Sequence, residues 1–411
     1  MNEIKFPNNF FKGNRAKLRG LFSGSAPIVL TAHGLLQSNS DSNFKFTQDS
    51  SFWYLTGISI PDIILVIDRS KEYLIVPKQE VWQKSSEGEI NYSHLSKISG
   101  IETVLTEDEG WKTLKSKLKK VKHVATLAAA PAYIEHYGLY ANPARARLIK
   151  RLKAINPGIE LLDLRQHLMR QRVIKQSIEI EAIQSAVDIT NATLKKVGKK
   201  INQQKYSSEN EIEADITHGF RSMGADGHGF DPIVASGSNA TIIHYLANNQ
   251  RLKKNDLVLI DIGAEVSHYT ADIARTYIYG KPTLRYKQVY SAANDIERYI
   301  LSQLMPGVVP NEFEKLIENF VGEKLRELGL IKTISRETVR KYFPHRASHF
   351  FGLDAHDAGD YTKPLEPGMA FTAEPGLYIP KEGIGVRIED DLIITKEGNR
   401  LLSGSLSHEL D

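Results

Sequence analysis

Five side chains able to hold a metal, Asp261, Asp272, His349, Glu374 and Glu389, lie in the C-terminal part of this 411-residue chain, and four of them come as two carboxylate pairs. Asp261 and Asp272 sit in LVLIDIGAEVSHYTADIARTY, two apolar runs around a polar centre near Val266-Ser267. An antiparallel hairpin about that centre sets residues 261 and 272 opposite each other, where Cβ atoms stand about 4.5–5.5 Å apart. Glu374 and Glu389 repeat the pattern in FTAEPGLYIPKEGIGVRIEDD, with a turn near Lys381-Gly383. Buried anionic pairs in apolar strands are costly without counter-charge. Divalent cations supply it, and four carboxylates are enough for two of them. Either pair alone reads equally as surface acids flanking a turn; the two together point to a dinuclear hydrolase.

Carboxylates with one imidazole favour Mn²⁺, Co²⁺, Zn²⁺ or Fe²⁺ over Ca²⁺. In two-metal sites the ions stand about 3.5–4 Å apart and clamp the attacking and leaving oxygens. A water bridging them ionises near neutral pH, and a glutamate among the ligands can shuttle its proton. The segment HRASHFFGLDAHD, residues 345–357, gathers His345, His349 and His356, three of the thirteen histidines. Each alone reads as a satisfied loop or core residue. Together they suit one ligand plus donors that polarise a carbonyl and hold an oxyanion. His244, in ASGSNATIIHY, is a further candidate donor. Arg387 precedes Glu389 by two residues and shares its strand face, either as a charge partner or as a cation at the substrate.

These residues need strands to carry them. Up to about residue 165 the chain alternates strand-like runs, SAPIVLTA (25–32), DIILVID (62–68) and YLIVP (73–77), with helical patterns near 111–122 and 142–153. That is an α/β unit. The texture turns polar and basic in RQHLMRQRVIKQS, which places a domain boundary near 170. A long helix follows from Ile178, with Ala182, Ile183, Ala186, Val187, Thr190, Leu194 and Val197 on its apolar stripe. Ser208-x-x-Glu211 reads as the capping box of a second helix, ending near Gly224. Strands at 257–279, helices at about 286–304 and 311–328, and the ligand-bearing segments complete an α+β domain.

Composition sets limits. There is no cysteine, which excludes disulfides, thiolate nucleophiles and Cys-ligated metals and fits a reducing, cytoplasmic setting. A net charge of +4 is too diffuse to imply nucleic acid. The basic stretch WKTLKSKLKKVKH reads as the solvated face of a helix. No run approaches the roughly 20 apolar residues of a membrane span, and MNEIKFPNNFFKGNRAKLRG lacks the apolar centre of a signal peptide.

The segments IVASGSNATIIHY, LVLIDIGAEVSHYTADIARTY, HRASHFFGLDAHD, LEPGMAFTAEPGLYI and GIGVRIEDDLIIT together resemble the creatinase/aminopeptidase family, most closely its Xaa-Pro aminopeptidase branch. The resemblance is strong over about 170–402 and reaches the N-terminal part through SSFWYLTGI. It implies a pita-bread catalytic domain at 171–411 behind a creatinase-like α/β domain at 1–170, which restricts substrates and makes oligomer contacts in a homodimer or homotetramer. It implies two ions of the Mn²⁺ class, with Asp261 on one, Asp272 and Glu389 bridging, and His349 and Glu374 on the other. Glu374 would be the base, and His244, His345 and His356 would hold the carbonyl and the tetrahedral intermediate. Tyr378 and Arg387 would line a proline pocket, and Arg387 could join a proton relay. Asp41 and Arg165 resemble a pair at the domain interface.

The implied activity is removal of the first residue from peptides with proline second. The chain departs from the family at Arg346, where glycine normally follows the first histidine. That keeps a rival in view, the Xaa-Pro dipeptidase, whose site adds a clamp for the substrate carboxylate. A non-catalytic pita-bread binding module fits less well, because such modules lose ligands and this chain retains all five.

Overall fold

The computed structural model describes residues 4–21, 26–127, 134 and 138–410. They form two compact units, one of Phe6–Gln171 and one of Arg172–Asp411 that also takes in the start of the chain.

The first unit is built on a six-stranded mixed sheet in the order Thr103–Leu105, Glu72–Ile75, Ile64–Ile67, Ile28–Thr31, His123–Thr126, Glu160–Asp163. Its central strand Ile64–Ile67 is buried along its whole length, as expected of a continuous apolar run covered on both faces. Helices Glu107–Leu118 and Ala144–Ile155 contribute Trp111, Leu114, Leu118, Leu148 and Leu152 to the core over Val29, Val66 and Ile75. Five of the six lysines in the basic stretch are exposed, and Lys117 pairs with Asp68 at 2.9 Å. Arg165 pairs with Asp163 at 2.5 Å, two residues away.

The second unit pairs antiparallel strands under helices. Strands Ile233–Ser236, Leu257–Ile262 and Ile273–Ile278 form one sheet, and Ala370–Ala373, Asp390–Ile394 and Asn399–Leu401 another. Helices Leu284–Gln303 and Pro310–Glu327 bury Ala293, Ile296, Ile300, Phe313, Ile317 and Val321 against Phe371, Leu377, Val386, Ile388 and Leu392. Helix Ser177–Asn202 lays the stripe read from the sequence, from Ala182 to Val197, on the other hairpin. There Thr190 Oγ1 accepts from the Ala264 amide at 3.0 Å. Among the described residues no helix is long and apolar enough to cross a membrane.

Two local expectations change. The helix Glu209–Ser222 does begin after Ser208, but the Ser208 side chain makes no cap bond. Glu211 instead reaches back to the Ser207 amide at 2.8 Å and the Ser207 hydroxyl at 2.5 Å. The first ligand hairpin turns at Ser267-His268, both with positive φ (50° and 69°), the backbone of a type I′ turn. Glu265 therefore pairs with Thr270 and Asp261 with Ala274. Asp261 and Asp272 are diagonal neighbours, not directly opposed. Gly263 lies beneath this crossing, where an added Cβ would stand 1.7 Å from the Ala271 carbonyl oxygen.

Candidate metal centre

The second hairpin keeps the expected register. Gly376 pairs with Arg387 and Ala373 with Asp390, so Glu374 and Glu389 stand opposite each other in the gap between. The chain reverses through Pro380–Glu382 and a left-handed Gly383. The Glu389 amide donates to the Ala274 carbonyl at 3.0 Å, which brings the second hairpin against the first and both carboxylate pairs into one space.

His349 arrives from the loop between the long helices and the second hairpin. It is locked by two bonds with Thr372, one from the His349 amide to Oγ1 and one from the Thr372 amide to the His349 carbonyl. Its Nδ1 is 3.1 Å from the Phe350 carbonyl, which only accepts, so Nδ1 carries the proton. The lone pair of Nε2 then faces oxygens of Asp272, Glu374 and Glu389 at 3.5, 3.6 and 3.8 Å. Those gaps are too long for good hydrogen bonds. Atoms of Asp272, His349 and Glu389 all lie within 4.8 Å of one another.

The electrostatics of this arrangement are unfavourable as it stands. Burial, then the charges of Asp261 and Asp391, raise the Asp272 carboxyl well above its ordinary range. Burial, then Asp272 and Asp261, do the same to Glu389. Burial raises Glu374 as well, although Arg387 pulls the other way. Burial and the neighbouring His356 push His349 down to about 3, so its ring is neutral. Asp261 Oδ2 accepts from Arg387, while its buried Oδ1 has no partner among the described residues. An imidazole lone pair and several crowded carboxylates aimed at one space fit divalent cations.

Arg387 donates to the Tyr378 hydroxyl at 2.9 Å, and that hydroxyl is 2.9 Å from Nε2 of His345. The other ring nitrogen of His345 donates to the Arg346 carbonyl at 2.8 Å and lies 3.5 Å from Glu374. Burial pushes the Tyr378 hydroxyl up to about 12, and burial with the Arg387 charge pushes His345 down to about 3. Tyr378 is therefore a proton donor and His345 an acceptor at Nε2. A Cβ on Gly376 would come within 2.6 Å of that nitrogen. His244 and His356 are exposed, although partial burial of each ring still lowers it below the ordinary histidine range. The His356 ring meets the His349 ring edge-on at 4.3 Å.

Several supporting residues escaped the sequence reading. Asp391, fully buried, accepts from the Asp272 amide at 2.9 Å. Arg275 donates to the Glu389 carbonyl at 2.8 Å. Arg340 and Glu314 hold the His345 carbonyl and the Ala347 amide at 2.6 and 3.1 Å. Asp357, beside His356, is clasped by Arg172 at 2.6 Å and Lys175 at 3.1 Å. The signal available was a buried charge in each strand or helix, but the partner lies far away along the chain.

The model of metallopeptidase family M24 matches residues 181–396, and that of the aminopeptidase P N-terminal domain matches residues 11–126. The Xaa-Pro aminopeptidase of Haemophilus influenzae is 30% identical, over 99% of this chain and 96% of its own length. Human Xaa-Pro aminopeptidase 3 is 29% identical, over 93% of this chain and 79% of its own. The low-pH structure of aminopeptidase P from Escherichia coli superposes with a TM-score of 0.86 at 28% identity, covering 98% of this chain and 97% of that one. The chain thus belongs to metallopeptidase family M24, an aminopeptidase P N-terminal domain followed by the pita-bread catalytic domain that carries the metal centre.

Proposed function

We infer that the protein is a dinuclear metallo-aminopeptidase that hydrolyses the N-terminal Xaa-Pro bond, releasing the first residue of peptides with proline second. This reading is carried by the His349 lone pair, which faces the buried carboxylates of Asp272 and Glu389 and the part-buried carboxylate of Glu374. The proline preference is supported by the Xaa-Pro aminopeptidases the chain resembles over nearly its full length. Asp261, Asp272, His349, Glu374 and Glu389 would together hold the two ions. When bound, the ions supply positive charge that acidifies a water and polarises a carbonyl.

The chain's own groups do the rest. Glu374, partly open to solvent, takes and returns the proton. Arg387 and Tyr378 orient His345, whose backbone is pinned by Arg340. The imidazoles of His244 and His356 would reach an incoming carbonyl and steady the oxyanion. Arg387 and Tyr378 line the proline pocket. Manganese is the ion we favour, with Co²⁺, Zn²⁺ or Fe²⁺ as alternatives. The same reading includes a 1–170 domain that restricts substrates, a 171–411 catalytic domain, a homodimer or homotetramer, and a cytoplasmic location suited to a cysteine-free chain.

Arg346 weighs against the dipeptidase reading. Its guanidinium lies over the Tyr361 ring at 4.4 Å, with Asn311 at 3.4 Å and Glu314 at 4.0 Å. A cation so engaged is a poor clamp for a substrate carboxylate. The test is hydrolysis of Gly-Pro beside a longer Xaa-Pro-Xaa peptide by chelator-stripped protein reloaded with Mn²⁺. Release of the first residue from the longer peptide is expected. Cleavage of the dipeptide alone would move the function to a dipeptidase.

A further inference from the structure

A second cluster of charge lies in the catalytic unit behind Glu389: Arg275, Glu297, Asp390 and His408. Arg275 is 2.7 Å from Oδ1 of Asp390, and Nε2 of His408 is 2.7 Å from Oδ2. The other His408 nitrogen is 3.6 Å from Glu297. Glu297 and Asp390 are both 0% exposed, and no described donor hydrogen-bonds either Glu297 oxygen. Donor atoms of Glu297, Asp390 and His408 lie within 4.8 Å of one another, as metal ligands do. An ion is nevertheless unneeded. Arg275 already supplies a cation at Asp390, and one proton held by either Glu297 or His408 makes the four groups neutral in sum. Burial and then Asp390 raise Glu297 to about 8, consistent with a proton held there. Burial opposes the charge on Asp390, but Arg275 and His408 outweigh it and keep that carboxyl below its usual range.

The cluster joins two parts of the chain. His408 belongs to the C-terminal segment after Leu402, which runs back over the sheet and is held along its length. The Leu402 amide donates to the Asp391 backbone carbonyl at 2.8 Å, and the Ser403 hydroxyl donates to the Asp390 carboxylate. Arg275 Nε donates to the Ser407 carbonyl at 3.0 Å, and Asn294 to the His408 carbonyl at 3.3 Å. Asp390 follows Glu389 directly, and Arg275 grips both, the Asp390 carboxylate and the Glu389 carbonyl at 2.8 Å. The C-terminal segment thus closes a hydrogen-bonded frame around the backbone that aims Glu389. Ligands held by such outer partners lose metal affinity when the partner is removed.

We propose that His408 is a positioning residue of the metal centre, fastening the C-terminal segment to Asp390 and through it fixing Glu389. The proposal rests on the dinuclear reading above, and the experiment separates the two. Full-length protein, wild type and His408→Ala, is stripped with chelator and titrated with Mn²⁺, following stoichiometry by equilibrium dialysis and pairing of the ions by electron paramagnetic resonance. Wild type is expected to bind two Mn²⁺ as a coupled pair. His408→Ala is expected to bind the weaker Mn²⁺ about 10–100-fold less tightly, with kcat falling and KM little changed. His408→Gln, which keeps a donor for Asp390, is expected to restore most of the affinity. If alanine fails to fold, His408→Asn, too short to reach Asp390, is compared with His408→Gln. Unchanged Mn²⁺ affinity in His408→Ala, or equal affinity in the Asn and Gln variants, would overturn the role of His408. A wild type without a coupled pair would remove the dinuclear reading and this proposal with it.

Discussion

Two of the candidate ligand carboxyls are misfits where they sit. Asp272 and Glu389 are 5% and 2% exposed and face other carboxylates. Groups so raised in the folded state favour folding below the unfolded carboxyl range, near 4, and that contribution is lost as pH rises through the raised values. Asp272→Asn and Glu389→Gln should therefore cost at least about 10²-fold in turnover, the scale of even outer-partner losses, while raising the melting temperature of the stripped protein. The stability gap over stripped wild type should widen as melting is followed from pH 4.5 to 8. A gap that narrows would mean the carboxylates are not in conflict. His244→Ala and His356→Ala should keep both metals and lose about 10²–10³-fold in kcat, as removed oxyanion donors do. Metal loss in either, measured by elemental analysis, would make it a ligand instead. The candidate residues were legible because acids that interrupt apolar strands, and histidines clustered in one loop, are costly to bury unless they hold a ligand. Asp391, Arg275 and Glu314 were not, because each acts through a backbone group distant in sequence.

At the scale of elements, the alternation of apolar and polar runs located the strands and the long helix, and one hairpin register with them. The other register missed by two residues because its turn uses Ser267 and His268, which carry no glycine signal for left-handed backbone. The same chemistry accounts for the missed cap, since either of two adjacent serines satisfies the pattern and only the approach of Glu211 decides. Gly263 is where the hairpin is least tolerant. Gly263→Ala forces a methyl into the Ala271 carbonyl, so it should destabilise the protein by roughly 3 kcal/mol or more and lower Mn²⁺ affinity, as read by urea denaturation and metal titration. A variant with wild-type stability would show that the crossing has slack.

Over the whole molecule, two units divide the chain, and the catalytic unit is closed at both ends by charge. At its start, Arg172 and Lys175 meet Asp357; at its end, His408 meets Asp390. Burial would raise Asp357, but Arg172 and Lys175 more than offset it and hold the carboxyl down. Its stabilising contribution is present above the unfolded carboxyl range and lost as pH falls through the folded value. Asp357→Ala leaves Lys175 buried without that carboxylate, and should cost about 3–5 kcal/mol in urea denaturation at pH 7, with the difference shrinking in acid. On the proposed function, Asp261, Asp272, His349, Glu374 and Glu389 hold two ions which the reaction requires. The most direct measurement is turnover of an Xaa-Pro-Xaa peptide by chelator-stripped protein as Mn²⁺ is added, with bound metal counted in parallel. The predicted result is negligible turnover without metal and full activity as the second equivalent binds. Full turnover in the stripped protein, or with Asp272→Asn at saturating Mn²⁺, would contradict it.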